Sequence, residues 1–188
     1  MNASESFHIR GVAPLICHNP QLADPLNEWA KAVAEIASKR KKTEKDHEEL
    51  ARREFLGGLY MGEKGPIIPA GNIERMLRDA AAKSREGKNV QAGAIVVDDC
   101  QIIYDGPKDP EKLWAKRDRF AIRASTGVAR ARVMRTRPWF PEWELKFEVL
   151  FDDLILNKSR VADFVELAGR VCGLGDWRPK HGRFEVVA

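Results

Sequence analysis

Nine lysines and arginines but a single acid, Asp118, occupy residues 112–137. Seven of the nine are arginines: Arg117, Arg119, Arg123, Arg130, Arg132, Arg135 and Arg137. A guanidinium offers a planar fork of donors that matches phosphate oxygens and stacks on bases, so this density predicts contact with a nucleic-acid backbone. In an extended chain Arg130 and Arg132 share one face, and Arg135 and Arg137 share the other. The competing reading of the same run is a solvated surface hairpin.

A second cluster closes the chain. "GLGDWRPKHGRFEV", residues 173–186, brings together Gly173, Gly175, Gly182, Trp177, Arg178, Lys180, His181 and Arg183. Glycine has no Cβ, so Gly175 and Gly182 can carry main-chain N–H groups close to a phosphate. Arg178, Lys180 and Arg183 add charge, His181 can hydrogen-bond a phosphate, and Trp177 offers a base a stacking face. A purely structural reading stands beside this one, in which Gly173 ends the preceding helix and Trp177 packs into the core.

Catalytic signals are sparse. His18 and Asp24 both follow the first expected strand, and an imidazole or a carboxylate is a side chain that can serve as a general base. His18 has no acid–base partner in the sequence, however, and Asp24 is accounted for as a helix cap. Neighbours such as Cys17 and His18 rarely bind one ion, and no further ligand cluster exists, so no metal or cofactor is expected. The phosphate-binding GxxxxGK[ST] pattern is absent, which removes nucleotide hydrolysis from consideration.

These residues need a scaffold. With 188 residues, 44% of them hydrophobic and 32% charged, the chain suits one globular domain spanning 1–188. Net charge is +4, so the clustering of cations says more than their total. No apolar run approaches the roughly 20 residues that cross a bilayer. The opening "MNASESFHIR" lacks the apolar core and basic lead of a signal peptide. Cys17, Cys100 and Cys172 are odd in number and far apart, which favours reduced thiols over disulfides. Together these features predict a cytoplasmic protein that makes no use of a membrane.

Alternation in "SFHIRGVAPLI" predicts a first strand. Asp24 and Pro25 then read as the N-cap and first position of a helix with Leu26, Trp29, Ala30, Val33 and Ala37 on its apolar face. Thr43 and Asp46 form a capping box for a second, very polar helix through about Arg53. Residues 20–55 therefore read as a helical insertion whose mixed charges face solvent. Ile73, Met76, Leu77, Ala80 and Ala81 recur at helical spacing, and residues 92–106 suggest one or two strands turning near Asp98–Asp99. "WELKFEVLF" alternates as a half-exposed antiparallel strand, with Trp143, Leu145, Phe147, Val149 and Phe151 inward. Ser159 reads as the cap of a last helix with Val161, Phe164, Val165, Ala168 and Val171 inward, and "GRFEVV" closes the chain. With the insertion set aside, strand, helix, strand, strand, helix, strand is the order of an α+β, ferredoxin-like fold.

Three segments carry a family resemblance. "GPIIPAGNIERMLRDAA" resembles the "IPGSSLRGALR" element of the RAMP superfamily through Ile68, Pro69, Ala70, Gly71, Asn72, Arg75 and Arg78. The closing loop resembles that superfamily's glycine-rich loop through Gly173, Gly175, Arg178, Gly182 and Arg183. "RVMRTRPWFPEWELKFEVLF" resembles the segment leading from the family's thumb hairpin into its third strand. Ala-Gly-Asn replaces the family's Gly-Ser-Ser, and Trp177 and Pro179 stand where small or basic residues are usual. The chain is short for a CRISPR backbone subunit, so the resemblance is to a divergent stand-alone relative of the kind found in phage or prophage genomes. It implies a basic thumb at 105–140, contacts through Arg75, Arg78 and the closing loop, and protomers that polymerise along a single strand of DNA or RNA. The expected function is non-catalytic, largely sequence-independent single-strand binding. A metal-independent endoribonuclease and a protein–protein adaptor mimicking a CRISPR subunit are the alternatives.

Overall fold

The structure is a computed structural model that describes residues 1–128 and 131–187. In chain order, strand β1 (Ala3–Gly11) and the short β2 (Leu15–Ile16) lead into helices α1 (Glu28–Ala37) and α2 (Glu44–Gly58). The hairpin β3 (Met61–Gly62) and β4 (Gly65–Ile68) passes to α3 (Ala70–Ala81), α4 (Gly87–Gly93), β5 (Ala94–Val96) and β6 (Cys100–Gln101). Helices α5 (Pro110–Ala115) and α6 (Arg117–Phe120) precede a ribbon of β7 (Ala121–Val128) and β8 (Ala131–Phe140). Strand β9 (Glu144–Phe151), helix α7 (Lys158–Leu167) and β10 (Phe184–Val186) complete the described chain. The fold is α+β with antiparallel sheets. Among the described residues no helix is long and apolar enough to cross a membrane.

The main sheet runs β10-β1-β9-β5, each neighbour antiparallel to the next. Period-two alternation drives it: Leu145, Phe147, Val149 and Phe151 are buried while Lys146 and Glu148 face water. Phe7 lies opposite Phe147 and Ile9 opposite Leu145, which makes the middle of one face an apolar layer, while Glu5 on the same face pairs with Lys158 at 2.7 Å. Helix α3 seals that layer with Ile73, Met76, Leu77, Ala80 and Ala81, all buried as their spacing predicts. Helix α7 packs beside it through Val161, Phe164 and Val165. Each of the larger of these side chains contributes about 1.5–3 kcal/mol by leaving water. Pro69 cannot cap α3 with a side chain, and Asp99 does so from the β5–β6 turn by accepting from Ala70 N at 2.9 Å.

Several local expectations are corrected. Helix α1 begins at Glu28 under an Asn27 cap, while Asp24 accepts from Leu26 N one turn earlier. Leu26 is consequently 79% exposed, and Ile36 is the residue of α1 that is buried. The Thr43–Asp46 capping box is present as read. Helix α2 continues past Arg53 to Gly58, and its last turns, Glu54 to Gly58, are buried. Asn157 rather than Ser159 caps α7. A π-helical turn follows α7 at Ala168–Cys172, with Gly173 N reaching back to Ala168 O. The wider turn shifts the helical phase, which leaves Val171 41% exposed.

Candidate nucleic-acid interface

Loop 173–183 is stitched to the segment after β1. Asp176 N donates to Ile16 O, Gly182 N to Pro14 O, and Val12 N to Arg183 O, each at 2.8 Å. Gly175 and Gly182 both adopt left-handed backbone, with φ of 81° and 70°. A Cβ at 175 would overlap Ile16 O, and one at 182 would overlap Leu174 O. Their freedom is therefore used to seat the loop on the chain's own backbone. Gly182 is buried, whereas Gly175 remains on a cleft wall.

The basic ribbon is held at its root by two acids. Arg135 Nη1 donates to Glu54 Oε1 at 2.6 Å, and Thr136 N donates to Glu54 Oε2 at 2.8 Å. Arg137 Nε lies 3.4 Å from Asp176 Oδ2 and is only 8% exposed. Burial pushes the Arg137 guanidinium below its ordinary value, with Asp176 and Glu54 opposing. Arg135 and Arg137, two of the arginines from which phosphate contact is expected, are thus engaged with acids of the chain itself. Cross-strand register places both on the ribbon face turned toward α2 and the closing loop, where their charges require carboxylates. On the other face Arg123 and Arg132 are exposed, and among the described residues neither pairs with an acid. Arg130 lies outside the described residues.

Three clefts meet at Asp176. One is bounded by His18, Tyr60, Asn72, Arg75 and Arg178. A second runs between α1, Glu54, Arg135 and Trp177. The third and widest follows Arg75, Lys83, Trp177 and Pro179 along the surface. His18 lines the first two, and its Nδ1 is buried with no hydrogen-bond partner among the described residues. Burial, then the field of Arg137, lowers its proton affinity, so the imidazole is neutral at pH 7. Burial also pushes the adjacent Cys17 thiol up to about 12, which keeps it protonated and unreactive.

No family model and no curated protein matches this chain.

The remaining predicted residues divide by location. Arg75 and Arg178 converge across Asp79, at 4.0 and 3.2 Å from its Oδ2. Arg78, on the same helix, faces a different hollow beside Val90 and Gln91. Arg119 pairs with Asp105 at 3.2 Å and Glu142 at 3.7 Å, and Arg117 with Glu48 at 3.5 Å. Lys180 and Arg183 are exposed, with Arg183 Nε donating to Pro179 O at 2.7 Å. Trp177 is half-buried at φ 53° and divides the second and third clefts. His181 sits 5.4 Å from the Trp139 ring and 6.2 Å from Trp177, as a packing element with its own Nδ1 enclosed. Asp24 caps a turn and takes no part in the clefts. Among the described residues no three His, Cys, Asp or Glu side chains converge as a metal site would need.

Glu54 and Asp176 escaped the reading of the sequence although both organise the site. Each carried a signal. Glu54 immediately precedes the apolar run Phe55–Leu56, and Asp176 is the one acid in loop 173–183.

Proposed function

We propose that this chain is a non-catalytic single-stranded nucleic-acid-binding protein built on a ferredoxin-like core of the RAMP type. The strand order β10-β1-β9-β5 is what two split βαβ units give, with α3 and α7 on one face. One observation carries the binding reading. Trp177 stands in a surface groove between the Arg75–Arg178 pair and the root of the ribbon, where Arg135 and Arg137 line the adjoining cleft. Cations on both sides of an aromatic face suit a phosphate backbone with its bases turned inward. The outward face of the main sheet carries Ser4, Ser6, Arg10, Lys146 and Glu148, and its imidazole, His8, is engaged by Glu144 at 2.7 Å, so base stacking on that sheet is not part of the proposal. In this reading protomers load side by side along a strand in the cytoplasm, with little preference for sequence.

Two observations favour other readings. His18, neutral and unpaired at a cleft wall, has the protonation state of a general base for RNA cleavage. Arg117, Arg119, Arg135, Arg137 and Arg178 all meet acids within the chain, as the cations of a protein–protein adaptor would. Single-stranded DNA, single-stranded RNA and duplex, titrated by gel shift at low and high salt, separate the three. Salt-sensitive single-strand binding with intact RNA supports the proposal. Cleavage that disappears in His18→Ala supports the nuclease, and no nucleic-acid binding at all leaves the adaptor.

A further inference from the structure

We propose that the cleft formed by His18, Tyr60, Asn72, Arg75 and Arg178 recognises a terminal phosphate of the strand, so that the protein loads from an end. The inference rests on the single-strand reading and adds a subsite to it.

The size and shape of the cleft carry the argument. Its volume is about 130 Å³, room for roughly four waters at about 30 Å³ each. A phosphate group fits that space. Ile16, Cys17 and Ile68 are buried beneath it and close the floor. His18 and Asp176 form the wall shared with the neighbouring cleft. The cleft also adjoins the wide groove, with which it shares Arg75, Gly175, Asp176 and Arg178. A continuous backbone needs a way in and a way out. A terminal phosphate needs only one mouth, and its nucleoside would then lie in the groove beside Trp177 and Pro179.

The chemistry agrees with the shape. A phosphate monoester carries about 1.5–2 negative charges at pH 7 and three strong acceptor oxygens, where an internal diester carries one charge. Arg75 and Arg178 are held near the mouth by long contacts, to Asp79 Oδ2 at 4.0 and 3.2 Å and, for Arg178, to Gly173 O at 3.5 Å. A dianion competes well for such loosely held guanidinium groups.

The test uses short single-stranded oligonucleotides of one sequence, carrying a 5′-phosphate, a 3′-phosphate or hydroxyl groups at both ends, with an internal fluorophore. Anisotropy titrations on the full chain should give roughly tenfold tighter binding for one phosphorylated end, about the effect of one charge-assisted contact pair. Millimolar inorganic phosphate should remove that increment. Arg75→Ala, at an exposed helix position, should erase the ratio between phosphorylated and hydroxyl ends. Arg178→Ala should do the same if melting shows it folded. Equal affinity for all three oligonucleotides overturns the end pocket while the single-strand reading survives. Failure of every oligonucleotide to bind overturns both.

Discussion

The backbone N–H of Thr136 donates to Glu54 Oε2 at 2.8 Å across 82 residues of sequence. The reason lies in the edge of β8. Strand β2 pairs with β8 at Trp139 and Phe140, and Cys17 N still reaches Pro138 O. Thr136 carries the next outward amide, and there the Glu54 carboxylate stands in for a strand. Its second oxygen holds Arg135.

Glu54→Ala should therefore strip a buried amide and a guanidinium of their partner at once. We expect a loss of roughly 2–3 kcal/mol, less than a fully buried pair would cost because Arg135 stays partly hydrated. Glu54→Gln keeps an acceptor for Thr136 and should lose less. Urea unfolding of the two variants beside the wild type measures the difference, and equal losses would mean that the acceptor contributes nothing.

The ribbon's two faces should respond oppositely to substitution. Arg123→Ala with Arg132→Ala should leave the melting temperature nearly unchanged, since exposed sites shift stability by about 0.5 kcal/mol or less. Single-strand affinity should fall, and the slope of log affinity against log salt should shrink by about 0.7 for each phosphate no longer neutralised. Arg137→Ala should lower stability first, because it leaves Asp176 beside a cavity. Melting and binding on the same samples separate the cases.

Stability should also fall on mild acidification. Both His18 and His181 are held below the ordinary value of 6.5, chiefly by burial, then by Arg137 for His18 and by Lys180 for His181. Arg135 also opposes a charge on His18, while Asp176 and Glu54 favour it. The unfolded chain thus binds these protons before the native state does. Their contribution is complete above pH 6.5 and is lost as pH drops through the depressed native values. Glutamates such as Glu144, with its proton affinity lowered mainly by Arg10 and His8, respond only below their ordinary 4.5. Melting temperatures between pH 7.5 and 5 should decline, and His18→Gln with His181→Gln should flatten that decline. An unchanged slope in the double variant would refute the assignment.

Gly182→Ala should cost at least about 2 kcal/mol, because it combines left-handed strain with overlap on Leu174 O. Chemical denaturation reads this directly, and a variant as stable as the wild type would show that the loop can move aside.

How far the fold can be read from the sequence depends on how local the signal is. The α3 and β9 faces are legible because every third or fourth, or every second, residue repeats the same instruction. The start of α1 is misread because Asp24 and Asn27 are both competent caps, and the choice between them is made by packing further along. Val171 is misplaced because a single widened turn at Ala168–Cys172 shifts the phase, with no marker in residue type. The site is harder still. Arginine density reveals a basic ribbon, yet which arginines stay free depends on Glu54 and Asp176, which lie 81 and 39 residues from their partners. The loop glycines look alike in sequence whether they face a phosphate or Leu174 O.

Strand β1 takes β9 and β10 as its neighbours. Ile9, wholly enclosed in the finished sheet, lies between Leu145 and Val186. On a ribosome the strand made first would therefore wait on the order of ten seconds for its partners to emerge. The intervening α1–α2 pair can form during that time, since its contacts are local. Throughout the delay β1 would be an unpaired edge exposed to other nascent chains. Its outward residues, Ser4, Ser6, His8 and Arg10, interrupt the apolar ones at every second position. The alternation that orients β1 in the sheet thus also guards it against sticking before the sheet exists.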